Sequence, residues 1–289
     1  MADGAPHCAQ LARAGADLAH ATAAPSTPIA SGRSAEVRRL ADGRVVKIFR
    51  AGVPVSMVER EHAAAALAAR LGLPVAGPLE RGTWDGRAAI CYPCIDGPSL
   101  LQALQRAPHR VLPWMRTLAQ LHAEMHRHDA AGALRSLNDV LATDIRHGPL
   151  QVADQERALA LLGALPAGSR LCHGDLHPGN VLLGPQGPAI VDWSKAAAGA
   201  PEADVVRTEL LLRFAPLAAG RPESVDTTGR RLAAWLYKRC YAQAAGLELR
   251  RLQAWYLPVA AAWMRAREGA PGDAMERWLQ RLLARTVQE

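Results

Sequence analysis

Short apolar runs separated by turn-forming pairs fill the first third of the chain, and long helical periods fill the rest. Residues 28–38 (PIASGRSAEVR) hold a Ser-Gly turn between two extended stretches. Asp42-Gly43 precedes the apolar run Val45-Val46-Lys47-Ile48-Phe49, and Asp85-Gly86 precedes Ala88-Ala89-Ile90-Cys91-Tyr92. An Asp-Gly pair tolerates the positive φ of a tight turn, so each predicts a hairpin. Between them, residues 56–72 (SMVEREHAAAALAARLG) run at helical period, with Ser56 as candidate cap and Gly72 as candidate stop. Past Gly97 the period changes. Residues 112–128 place Met115, Leu118, Leu121, His122 and Met125 on one helix face, and four further helical stretches fall near 201–215, 228–246, 248–268 and 272–286. The pattern predicts an α+β, two-lobed chain without internal repeats. A tail or short helix (1–28) precedes a small sheet lobe (29–92), a hinge (93–98) and a helical lobe (99–289).

Composition narrows this picture. At 289 residues and 49% apolar, the chain can bury a large core, and no apolar run is long enough to span a bilayer. The alanine-rich N-terminus carries Asp3 and Asp17 and lacks a basic start, which argues against a signal peptide. Net charge is +7, yet the basic residues are scattered, so neither a nucleic acid nor a membrane partner is expected. Five cysteines, odd in number and unevenly spaced, imply reduced thiols in a cytoplasm. Cys91 and Cys94 have CxxC spacing but no second pair to complete a zinc site.

The strongest chemical signal is Leu171-Cys172-His173-Gly174-Asp175-Leu176-His177-Pro178-Gly179-Asn180, followed by Val181-Leu182-Leu183 and then Ile190-Val191-Asp192-Trp193. Phosphoryl transfer asks little covalent chemistry of a protein. It needs a divalent cation on the phosphates, a carboxylate to orient the attacking hydroxyl, and in-line positioning. An Asp and an Asn five residues apart on one loop can face a phosphate from two sides, and a second Asp after a short hairpin can ligate metal. The order HGDxxxxN, apolar strand, turn, apolar-Asp-Trp resembles the aminoglycoside phosphotransferase family, whose relatives include macrolide, choline, homoserine, methylthioribose and fructosamine kinases. That resemblance covers nearly all of the chain beyond residue 27. It implies the bilobal protein-kinase-like fold, with a small antiparallel sheet lobe and a larger helical lobe. It also implies that Asp175 is the catalytic base, Asn180 and Asp192 hold Mg²⁺, and His173 braces the loop.

The first lobe carries its own signals. Among 34 basic residues only Lys47, Lys195 and Lys238 are lysines, so a lysine inside an apolar strand is informative: buried without a partner it would be costly. Lys47 matches the strand lysine of the kinase fold, with Glu61 as its expected helix partner and Glu59 as second choice. Helical spacing points those two glutamates about 200° apart, so only one can face Lys47. The turn Ser31-Gly32-Arg33-Ser34 sits where kinases cover nucleotide phosphates; its N–H groups and the Ser31 and Ser34 hydroxyls are candidate anion ligands. Tyr92-Pro93-Cys94-Ile95-Asp96-Gly97 resembles the family's hinge, where the Pro93 carbonyl and Ile95 N–H would pair with a purine and Tyr92 would wall the pocket. His122, His126 and His128 mimic a metal cluster; the expected reading packs His122 beneath the loop and leaves the other two solvated.

These readings converge on an enzyme that moves the γ-phosphate of ATP or GTP, with Mg²⁺, to a hydroxyl of a small molecule. An aminoglycoside-type antibiotic is the favoured acceptor. A metabolite kinase of the same fold (choline, homoserine or sugar-type acceptor) is the alternative, and a non-catalytic nucleotide-binding protein the third reading. Residues 194–200 are too short for a protein-kinase activation loop. A polycationic acceptor needs converging carboxylates, and the candidates are Asp139, Asp144, Asp154 and Glu156 in one place and Glu268, Asp273 and Glu276 in another, Asp144 and Glu268 foremost. Against this, residues 99–289 hold 23 basic and 18 acidic residues. A monomer or weak homodimer is expected.

Overall fold

The computed structural model describes residues 16–18, 28–215, 227–267 and 272–285. A six-stranded sheet forms first, from β1 (Ala16–Asp17), β2 (Pro28–Ser31), β3 (Ala35–Arg39), β4 (Arg44–Phe49), β5 (Glu80–Trp84) and β6 (Arg87–Pro93). Its spatial order is β1-β5-β6-β4-β3-β2, antiparallel except where β1 joins β5 in parallel. The N-terminal segment thus contributes a short edge strand at residues 16–17; the rest of the expected tail lies outside the described residues, as does Cys8. Both Asp-Gly pairs make the predicted turns: Gly43 has φ 79°, and Asp85 and Gly86 have φ 49° and 72°.

Strand alternation sorts the sheet residues between two faces. Val46, Ile48, Ala89, Cys91 and Trp84 pack with Leu18 and Leu40 on one side. Phe49, Ile90 and Ala35 pack with Val58 of helix α1 (Val55–Arg70) on the other. Helix α1 buries Val58, Glu61, Ala64, Ala65 and Ala68, a stripe of small residues that brings its backbone close to its neighbours. Its cap is Pro54, not Ser56. The extended Pro54 leads directly into Val55, so Ser56 falls inside the first turn and no side chain caps the helix. Gly72 follows the end with φ 75°, as its role of stop requires.

The helical part follows with α2 (Leu100–Arg106), α3 (Val111–Met125), α4 (Leu137–Arg146) and α5 (Val152–Ala164). Four short strands come next: β7 (Arg170–Cys172), β8 (Val181–Gly184), β9 (Gly187–Ile190) and β10 (Ala197–Gly199), with β7 pairing β10 and β8 pairing β9. Helices α6 (Pro201–Phe214), α7 (Thr228–Ala245), α8 (Tyr256–Ala266) and α9 (Ala274–Arg285) complete it. The stretch expected to be helical over 248–268 divides into a 3₁₀ segment, Leu249–Trp255, and α8. Pro258 lacks an N–H and suits only a first helical turn, which fixes the start of α8 nearby. One core runs through α3, α4, α6, α7 and α8, with Met115, Leu118, Val205, Leu210, Tyr237 and Trp255 almost inaccessible. Trp84, Trp193, Trp255 and Trp263 are buried, whereas Trp235 is exposed.

The join between the two parts is tight. Gly97 lies against the β8–β9 hairpin so closely that a Cβ there would sit 2.0 Å from the Leu183 carbonyl oxygen. Among the described residues no helix is long and apolar enough to cross a membrane.

Candidate active site

Three elements meet beside the sheet: β4 with Lys47, α1 with Glu61, and the segment after β9 with Asp192. The Lys47 Nζ lies 2.6 Å from Glu61 Oε1 and 3.0 Å from Asp192 Oδ1. Burial alone would favour loss of the Lys47 proton, but the two carboxylates outweigh it and raise its pKa. Glu59, on the opposite side of α1, pairs instead with Arg81 at 3.0 Å. The Tyr92 hydroxyl donates to Glu61 Oε1 at 3.4 Å, which places its ring beside the lysine pair. Pro93 ends β6, and Ile95, half-buried, follows two residues on.

Asp192 adopts φ 64°, a left-handed conformation that is uncommon for an aspartate. Its carboxyl is held well below the usual range because Lys47 more than offsets its burial. The backbone ties it to the other half of the site: the Val191 N–H donates to the Asn180 carbonyl at 3.0 Å.

The loop between β7 and β8 carries Asp175 and Asn180. His173 is fully buried, its Nε2 bonded to the Val191 carbonyl at 3.2 Å and its Nδ1 accepting the Asp175 N–H at 3.3 Å. That pair of bonds fits the neutral ring with its proton on Nε2, and burial lowers its pKa accordingly. The Asn180 amide nitrogen donates to the Asp175 carbonyl at 3.0 Å, which leaves the amide oxygen as the free acceptor of that side chain. His177 caps the turn Pro178–Asn180 by accepting the Gly179 N–H at 3.0 Å.

Asn180 and Asp192 therefore offer oxygen donors only, on segments linked by a backbone bond, the donor set a hard cation such as Mg²⁺ prefers. The residues fit that ion. A second cluster does not call for one. His122, His126 and Asp204 bring donor atoms within 4.8 Å of one another, but hydrogen bonds already use both nitrogens of both rings. Nε2 of each faces Asp204 Oδ2, at 3.0 and 3.3 Å, while Nδ1 faces Tyr237 and Tyr241 hydroxyls, at 2.6 and 2.7 Å. His126 is thus buried, not solvated: it lies one helical turn from His122 and faces the same interior. His128, outside this network, is half-buried.

Three participating residues were not singled out from the sequence. Asp204 of α6 accepts the His173 and Gly174 N–H groups at 2.6 and 2.9 Å, so it holds the backbone just before Asp175. Lys195 donates to Asp175 Oδ2 at 2.8 Å, and Arg207 of α6 stands 3.6 Å from Oδ1. Burial raises the Asp175 pKa, but these two cations lower it further than burial raises it. The available signals were the scarcity of lysine, which marks Lys195, and charges inside the apolar run of α6, which mark Asp204 and Arg207.

Other expected ligands are already engaged. The Ser31 hydroxyl accepts from Arg50 at 2.9 Å and the Gly32 N–H is spent on the Ala35 carbonyl, leaving Ser34 as the uncommitted hydroxyl of that turn. Asp144 pairs with Arg265 at 2.7 Å and Asp154 with Arg157 at 3.2 Å; Asp273 is bonded to Arg267, and Glu276 accepts the Gly272 N–H at 2.5 Å. Glu268 lies outside the described residues. Asp144, Asp154 and Asp273 are thus each paired with an arginine.

Comparison with known proteins identifies the fold and the family. No curated protein matches the chain. Among solved structures, a type VIII aminoglycoside-3′-phosphotransferase is 21% identical, with TM-score 0.57, and the match covers 82% of this chain and 91% of that one. A choline/ethanolamine kinase family protein from Mesorhizobium loti is 17% identical, with TM-score 0.58, over 91% and 87%. An amicoumacin kinase in complex with AMP-PNP, Ca²⁺ and amicoumacin is 14% identical, with TM-score 0.57, over 90% and 86%. All three share the bilobal kinase-like fold. The family model described as "Phosphotransferase enzyme family" matches residues 26–240, three-quarters of the sequence, and the chain belongs to that family.

Proposed function

We propose that this phosphotransferase moves the γ-phosphate of ATP or GTP to a hydroxyl of a small molecule, with Asp175 receiving the hydroxyl. The observation that carries the reading is the Lys47–Glu61–Asp192 chain placed within one backbone bond of the Asp175–Asn180 loop. Lys47 holds phosphate oxygens, while Tyr92, the Pro93 carbonyl and the Ile95 N–H frame the base. Asn180 and Asp192 hold Mg²⁺, which when bound neutralises phosphate charge. The acceptor hydroxyl hydrogen-bonds Asp175. Its oxygen bonds the γ-phosphorus as the bond to the β,γ-bridging oxygen breaks, the nucleoside diphosphate leaves with that electron pair, and the proton passes to Asp175.

Because Lys195 and Arg207 keep Asp175 ionised, its main contribution is orientation of the hydroxyl, with proton transfer late. The test is diphosphate release over a panel of hydroxyl compounds, with mass spectrometry for one added phosphate. Asp175→Asn keeps the shape and loses the carboxylate. Its kcat is expected to fall about 10²–10⁴-fold with nucleotide affinity little changed. A variant within threefold of the parent would remove Asp175 from the role.

The acceptor class divides two readings. The family and the amicoumacin kinase complex favour an antibiotic, and the aminoglycoside phosphotransferase favours a cationic one. The arginine pairing of Asp144, Asp154 and Asp273 favours a metabolite that does not need a carboxylate trough. We take the metabolite reading as the better supported.

A further inference from the structure

The base itself sits among cations. Lys195 Nζ contacts one Asp175 oxygen at 2.8 Å, and Arg207 approaches the other at 3.6 Å. Gly174 brings Lys195 there: with φ 76°, it lets the loop press so close that a Cβ would lie 2.6 Å from the Lys195 carbonyl oxygen. Arg207 is clamped over the Trp263 ring at 4.4 Å, and its Nη1 is buried without a hydrogen-bond partner. Beyond Asp175 the carboxylates that act on Arg207 are Asp204, buried and bonded to the loop backbone, and Asp144, already taken by Arg265 at 2.7 Å. Arg135 also feels Asp144. Arg33 of the β2–β3 turn reaches the Ala266 carbonyl at the end of α8, at 3.0 Å.

Counting charges decides the sign. Asp175, Asp144 and the buried Asp204 contribute three negative charges around this wall; Lys195, Arg207, Arg265 and Arg135 contribute four positive ones. A polycation entering toward Asp175 meets a net repulsion at contact distances, where screening is weakest. A carboxylate or phosphate on the acceptor finds the Lys195 ammonium, 40% exposed, and the Arg207 guanidinium beyond it. Planar guanidinium and mobile ammonium are the groups that recognise such anions.

We propose that Lys195 and Arg207 form an anion subsite, so that the acceptor is a hydroxyl compound bearing a carboxylate or phosphate. The inference rests on the phosphotransferase reading above and adds the acceptor's charge. One rival use of Lys195 is contact with the phosphoryl group in flight, which would serve every acceptor alike.

The experiment measures diphosphate release with Mg-ATP and three sets of hydroxyl compounds: hydroxy acids and sugar phosphates, neutral sugars, and amino sugars with choline. Turnover is expected with the anionic set. Lys195→Met should raise its KM at least tenfold, Lys195→Arg should recover most of that, and KM should climb as salt shortens the screening length. Carboxylates acting without phosphates, or the reverse, tells which anion is meant and supports the subsite either way. Best turnover with a cationic or neutral compound overturns the inference while leaving the kinase reading intact. So does a Lys195→Met variant that loses kcat equally for all acceptors with no selective rise in KM for the anionic set, or nucleotide binding with no acceptor found in any set. Failure of Mg-ATP to bind at all would instead overturn the kinase reading itself.

Discussion

At the residue scale, the site separates what local sequence can announce from what only folding assembles. His173, Asp175, Asn180 and Asp192 stand on one short stretch, and the resemblance of its order of residues to the phosphotransferase family nominated them. Lys47 was legible because burying a lone ammonium in an apolar strand demands a partner, and helical geometry allowed only one of two glutamates. Asp204, Lys195 and Arg207 carry no comparable spacing. Asp204 and Arg207 act because α6 packs against the loop, and Lys195 because its backbone lies against Gly174, both tertiary facts. Asp192 offers the sharpest test at this scale. It balances Lys47 and supplies an oxygen beside Asn180, so Asp192→Ala removes both functions at once. Mass action makes the heat protection by saturating Mg-nucleotide a few kcal/mol, and that protection should vanish in the variant. An unchanged thermal shift would show that Asp192 holds no metal.

At the scale of elements, α3, α6 and α7 are joined by polar contacts inside an apolar core. Tyr237 and Tyr241 of α7 donate to His122 of α3 and to His126 just after it, both of which turn to Asp204 of α6. The sequence showed His122 on an apolar face but not the tyrosines, which lie 115 residues away. This network makes the fold sensitive to acid. Burial, reinforced by His126, lowers the His122 pKa from 6.5 to about 4, although Asp204 opposes the shift. The unfolded chain therefore takes up a proton, as pH falls, before the folded one does. Stability from this group is complete above the unfolded value of 6.5 and is lost progressively down to about 4, by about 3 kcal/mol. Burial lowers the pKa of His173 and His177 too, which adds loss of the same sign. The melting temperature should fall steadily between pH 6.5 and pH 4.5. A flat profile there would mean that His122 does not stay neutral in the folded chain.

At the scale of the molecule, the two-part architecture was visible as a change of period, while the closeness of the parts was not. Hairpins and amphipathic helices declare themselves locally; the contact between 93–98 and the β8–β9 hairpin depends on a glycine whose neighbour lies 86 positions away. Gly97 has no unusual φ to explain it. Its reason is space, since a Cβ would meet the Leu183 carbonyl at 2.0 Å, far inside contact distance, and backbone cannot step aside as a side-chain tip can. Gly97→Ala must therefore push the hinge off the hairpin that precedes Asp192, costing about 1–3 kcal/mol as overpacking does. Because Tyr92, Pro93 and Ile95 approach on the same segment, the displacement should also weaken nucleotide binding. Gly229→Ala is the matched control: this glycine opens α7 with nothing within 4 Å of a new Cβ, so that change should be neutral or slightly stabilising. Equal melting temperatures and equal nucleotide affinities for the two variants would show that the hinge has slack at Gly97, and that the two lobes are not held by this contact.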